Sequence, residues 1–166
     1  KPLFILAMKM IQSRISCRME GRDIGKNLKR VIKNLSSDEN KSSKELIALT
    51  DTWVQQQTER YLAKGDRPKA AKVEDQGASI IAVAEGCRDT TEVNAIIDQL
   101  FGKDSSGITL STIHKAKGLE WQNVFILDEH LISAKASAEW AIEQEQNLKY
   151  VAITRAQHRL TFLDSP

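Results

Sequence analysis

The chain of 166 residues is poor in the residue types that mark specialised classes of protein: it has two cysteines, three prolines and an aromatic share of only 5%. Two cysteines as far apart as Cys17 and Cys87 exclude a disulfide framework, and they read as two buried thiols of a reducing cytosol. No group of Cys and His has zinc-ligand spacing. So few aromatics do not advertise a stacking platform for single-stranded nucleic acid. Apolar runs such as Leu3 to Met8 and Ser79 to Ala84 are far too short to span a bilayer, and no signal peptide is read, so the expectation is of a cytoplasmic protein with no membrane partner. A net charge of +2 is too small to identify a nucleic-acid partner by composition. Any such contact would have to be argued from local sites.

An apolar share of 41% and a charged share of 28% are those of an ordinary globular chain, long enough for a real core. The chain opens at Lys1 and runs straight into a helical pattern, which is read as the inside of a longer protein. From Pro2 to Arg14, the residues Leu3, Leu6, Ala7, Met10 and Ile11 share one face of an amphipathic helix. Ile15 to Glu20 alternates as a short strand, and a helix follows through Ile24, Leu28, Val31, Ile32 and Leu35. Its other faces carry Arg22, Lys26, Lys29, Arg30 and Lys33, read as solvated charge before a DNA patch.

Residues 36–43 are a polar loop, and helices are predicted over 44–63 and 69–85. Asp89 and Glu92 have capping-box spacing for a fourth helix through Phe101, with Gly102 as its stop. The character then changes. Residues 107–113 and the continuous apolar run 124–128 read as strands, the second of the kind covered on both faces in parallel sheets. A long helix over 138–156 and a last strand over 160–163 complete an α/β pattern.

Two segments carry the candidate chemistry. In the first, a strand runs into a turn that crowds Thr112, His114, Lys115, Lys117 and Glu120 around Gly118. Ligand sites of open parallel sheets form beyond the carboxyl ends of strands. Hydroxyl and lysine groups there suit phosphate oxygens, although a charge-rich solvated turn would look the same. In the second, Thr154 and Arg155 stand near the end of a helix whose apolar face includes Leu148, Val151 and Ala152. Taken alone, that arginine is a surface residue or a cation on the helix carboxyl end.

The stretch Thr112–Trp121, TIHKAKGLEW, resembles motif V of superfamily 1 DNA helicases of the UvrD/Rep/PcrA type, approximately T-x-H-x-x-K-G-L-E-[FWAY]. LKYVAITRA, from Leu148 to Ala156, is similar to their motif VI. The resemblance covers residues 1–28, less specifically, and 107–164. It implies an α/β, RecA-like second motor domain with a parallel sheet and no P-loop of its own, over 1–35 and 102–166. Residues 36–101 would form a small helical accessory insertion.

The resemblance also implies roles. Arg155 corresponds to the arginine finger that reaches the γ-phosphate of ATP and stabilises charge on the transferred phosphoryl group. Glu120 and Gly118 correspond to nucleotide-binding positions, and Thr112, His114 and Lys117 to the single-stranded DNA track. ATP and Mg²⁺ would be held mainly by an amino-terminal RecA-like partner domain. The whole would be an ATP-dependent helicase, bacterial or phage-like and nucleoid-associated, translocating 3′ to 5′. The fragment alone would be inactive.

Gln144–Asn147 departs from the acidic and arginine residues that open motif VI in many relatives. Gly21–Asn27 imitates a phosphate loop, but its glycines are one residue too close and Asn27 replaces the hydroxyl, so it reads as a strand-to-helix turn. No Walker B pair follows a strand. His130 and His158 have no partners at ligand spacing and are assigned no chemistry. Two alternatives stay open: the motor half of a helicase–nuclease, or a stand-alone DNA- or protein-binding domain that has lost its motor.

Overall fold

The computed structural model describes residues 2–37, 39–102, 106–132 and 139–164. The chain forms two compact units, Lys1–Leu110 and Ser111–Pro166. The boundary falls after Leu110, inside the stretch the sequence assigns to the motor domain.

The first unit holds α1 (Pro2–Gln12), β1 (Cys17–Met19), α2 (Arg22–Ser36), α3 (Ser43–Ala63), α4 (Arg67–Ala84), α5 (Thr90–Phe101) and β2 (Ile108–Leu110). β1 and β2 pair in parallel, with Arg18 opposite Thr109, although some ninety residues of chain lie between them. The helices close a core around Leu28, Ile32, Leu46, Ile80, Val93 and Leu100, each at most 1% exposed. Each such side chain contributes about 1.5–3 kcal/mol of burial. α1 turns Phe4, Ala7 and Met8 inward, with Leu3, Leu6, Met10 and Ile11 only partly buried. Its buried stripe is therefore rotated from the face read in the sequence, because Phe4 packs its ring 6.0 Å from that of Phe101.

The caps explain the helix starts. Ser42 and Glu45 form a complete capping box on α3. Asp89 accepts from the Glu92 backbone N–H, but the Glu92 carboxylate reaches back to Arg88 N, so this box is shifted by one residue. An antiparallel bridge between Ser42 and Asp89 ties the beginnings of α3 and α5 together. Gly25 lies inside α2, and a Cβ there would come within 2.8 Å of the Phe101 ring. The second glycine of the loop that imitates a phosphate cradle thus serves helix packing, and only Gly21, at φ +119, stands in the expected strand-to-helix turn, since residues 22–27 already belong to α2. On the outer face Lys26, Arg30 and Lys33 are exposed, and Lys29 pairs with Asp98 at 2.7 Å.

The second unit holds α6 (Ile113–Ala116), β3 (Trp121–Leu127), a 3₁₀ turn (Glu129–Leu131), α7 (Glu139–Ile153) and β4 (Ala156–Leu163). β3 and β4 are parallel, from Trp121 opposite Ala156 to Leu127 opposite Leu163. The α/β class and the parallel pairing are therefore those read from the sequence, carried by two two-stranded sheets.

Three expectations change. The strand expected over 107–113 stops at Leu110, because Thr112 caps a helical turn. The helix expected to reach Ala156 ends at Ile153, and the last strand begins four residues earlier than expected; Ala138 lies outside the described residues. The run 124–128 is not covered on both faces. Only Ile126 of β3 is buried, whereas Phe125 is 58% exposed and Leu127 42%. A sheet of two strands gives this short unit too little surface to enclose both faces. Among the described residues, no helix is long and apolar enough to cross a membrane.

Candidate nucleotide and DNA site

The candidate site lies within the second unit, and the sequence dictates its shape step by step. Thr112 is extended and accepts at its hydroxyl from Lys115 N, so it caps the single turn of α6. His114 lies on that turn and Lys117 ends it, both exposed. Gly118 then takes φ +83, in the left-handed region that glycine occupies without strain, and no atom lies within 4 Å of where its Cβ would be. Conformation, not crowding, requires glycine here. Leu119 N closes the turn on Ala116 O at 3.0 Å, and Glu120 leads into β3.

Arg155 stands in the turn between α7 and β4, two residues past the helix, and it is half-buried. Its Nε donates to Val151 O at 2.9 Å, an orphan carbonyl of the last turn of α7. Its Nη1 donates to Leu119 O at 2.9 Å, and its Nη2 to the Thr154 hydroxyl at 3.0 Å. Trp121 N donates to Arg155 O at 2.9 Å. Through backbone and guanidinium, Arg155 thus joins the carboxyl end of α7 to the turn that carries Gly118 and Glu120. Among the described residues no carboxylate pairs with it.

The structure therefore brings Glu120, Gly118 and Arg155 into one neighbourhood and puts Thr112, His114 and Lys117 on the one-turn helix and junction leading into it. The bond from Nε to Val151 O is the one a helix-capping arginine makes. Sequence reasoning missed Gln157, whose Nε2 donates to Glu120 Oε2 at 3.0 Å while Gln122 Nε2 donates to its Oε1 at 3.3 Å. Nothing in a lone glutamine signals such a bond. His130 does have neighbours. Asp128, His130 and Asp164 hold ligand atoms within 4.8 Å of one another. Because Asp164 is 34 residues from His130, spacing could not reveal this exposed group. It lies at the far end of β3 from Glu120, roughly 20 Å along a strand that rises about 3.3 Å per residue.

Residues 26–164 match the family model of the UvrD-like helicase C-terminal domain. The putative ATP-dependent DNA helicase YjcD of Bacillus subtilis (strain 168) is 33% identical over 122 residues, 64% of this chain and 16% of that protein. The ATP-dependent DNA helicase PcrA of Staphylococcus epidermidis (strain RP62A) is 36% identical over 76 residues, 42% of this chain and 10% of that protein. PcrA of Staphylococcus aureus (strain MRSA252) is 34% identical over the same length. The chain thus spans a sixth or less of these relatives, and with the match running through the α6 turn and Arg155 it belongs to the UvrD-like helicase C-terminal domain family.

Proposed function

We propose that this chain is the second, RecA-like motor half of an ATP-dependent helicase that moves on single-stranded DNA. Residues 1–35 and 102–166 would form the motor part and 36–101 an accessory insertion. The observation that carries the reading is the Arg155 bridge to the Leu119 carbonyl, which ties the candidate finger to the turn between His114 and Glu120.

ATP would supply the phosphoryl group, and the residues fit an anion of that kind. Among the described residues Arg155 has no carboxylate partner, and each of its Nη atoms donates only one N–H there. Glu120 has a carboxylate oxygen beyond the one bonded to Gln157. A single carboxylate already held by an amide does not make a Mg²⁺ site, so the metal and the phosphate cradle fall to a partner half. In this reading Arg155 exchanges internal acceptors for phosphate oxygens and offsets charge there. The same exchange alters the hold on Leu119, and with it the short helix that presents Thr112 and His114, with Lys117 at its end, to DNA.

The isolated chain is expected to hydrolyse no ATP, with or without single-stranded DNA. It should bind DNA no more tightly than a dissociation constant of roughly 10⁻⁵ M near physiological salt. Turnover by the purified chain that disappears in Arg155→Ala would overturn the division of labour. A nanomolar, salt-resistant complex would show an independent DNA-binding module.

A further inference from the structure

We propose that Gln157 is a positioning residue for Glu120, aimed by a defect in the parallel sheet; this rests on the reading of Glu120 as a nucleotide contact. Trp121 pairs with Ala156 and Asn123 with Arg159, so two steps along β3 match three along β4. Gln157 and His158 together face the single residue Gln122. Such a bulge leaves one residue outside the ladder, increases the local twist and re-aims a side chain, and it is rare between parallel strands.

The result is a short relay of amides. Gln122 Nε2 donates to Gln157 Oε1, and Gln157 Nε2 donates to Glu120 Oε2. Gln122 thereby fixes which end of the Gln157 amide faces Glu120, since an acceptor there would repel the carboxylate. With Oε2 held, Oε1 of Glu120 is left to accept from a hydroxyl of the nucleotide sugar. All three side chains are exposed and bury little, so the relay has little to do with stability.

A positioning role predicts an effect on nucleotide recognition and not on folding. In the full-length protein, Gln157→Met keeps the length of the side chain and removes both polar ends. It should raise KM for ATP by about 3–10-fold with little change in kcat, the pattern of lost uniform binding. The preference for ATP over its 2′-deoxy and 3′-deoxy analogues should shrink by the same factor. Gln157→Arg, which keeps N–H donors toward Glu120, should retain both.

Glu120→Gln separates this proposal from the reading beneath it. If Glu120→Gln changes neither KM nor the sugar preference, Glu120 is not a nucleotide contact. If Glu120→Gln changes them and Gln157→Met does not, Glu120 needs no positioning by Gln157 and the proposal fails alone. A thermal melt checks that Gln157→Met is folded, and Gln157→Arg supplies a second test if it is not.

Discussion

Gly77 sits in the middle of α4, buried against α3, and substituting it tests how closely these two helices pack. An ideal Cβ at Gly77 would lie 2.1 Å from Cγ2 of Val54 and 3.6 Å from Cγ2 of Thr50. Carbon atoms pack at about 3.5–4.0 Å, so the Val54 contact is short by well over an ångström. Replacing an exposed helical glycine by alanine normally gains about 1 kcal/mol of helix propensity. Overpacking a buried contact costs about 1–3 kcal/mol, so Gly77→Ala should destabilise the helical unit by up to about 2 kcal/mol net. Val54→Ala removes the obstructing methyl groups. The double variant should recover most of the loss, with a coupling of at least about 1 kcal/mol. Urea titrations followed by circular dichroism measure all four corners of the cycle. A Gly77→Ala chain more stable than the parent, or a coupling near zero, would refute the close contact between α3 and α4.

The carboxylates that start α4 and α5 predict an acid limit. Asp66 is held below the ordinary value of 3.8 first by its side-chain bond to Lys69, and Asp89 first by its bond from Glu92 N. A depressed folded-state value means that their stabilisation is complete above 3.8 and is lost as pH falls below it. The melting temperature should be flat from pH 7 to about 5 and fall below about pH 4. Asp89→Asn, which still caps but does not titrate, should show a smaller fall, and an equal fall would remove Asp89 from the account. Burial, followed by Glu92 and Asp89, pushes the Cys87 thiol up to about 11, and burial raises that of Cys17. Native Cys87 should therefore react with a disulfide reagent at pH 7.5 on the order of 10²-fold more slowly than in urea. Rapid labelling of the folded chain would contradict the buried setting of its sulfur.

The helices were the most legible part of the sequence. Asp89 before Glu92 announces one helix start through its spacing, whereas Ser42 with Glu45 and Asp66 before Pro68 are equally local caps that the sequence reading passed over, placing the second of these helix starts two residues late. The pairing of β1 with β2 could not be read locally, because it joins segments separated by the whole helical block. Core faces were legible where an apolar stripe is unambiguous, as in α2. They were missed in α1, where nearly every residue is apolar and only the Phe4–Phe101 contact selects the buried side. In the candidate site, the short motifs located Gly118, Glu120 and Arg155. The bonds of Arg155 to Leu119 and of Gln157 to Glu120 depend on the β3–β4 register, including its bulge, which no alternation of residues encodes.

The central claim is that Arg155 acts on a phosphoryl group and does more than cap α7. A capping cation contributes about 0.3–1 kcal/mol of stability and leaves turnover nearly unchanged when replaced. Lysine keeps the charge but lacks the planar fork that reaches two phosphate oxygens together. The decisive measurement is steady-state ATP hydrolysis by full-length Arg155→Lys at saturating ATP and single-stranded DNA, with a thermal melt and DNA binding as controls. The account predicts a folded, DNA-binding enzyme whose rate falls at least about tenfold, equivalent to about 1.4 kcal/mol of barrier. A well-folded variant hydrolysing ATP at the parent rate would contradict the account and leave Arg155 as a helix cap.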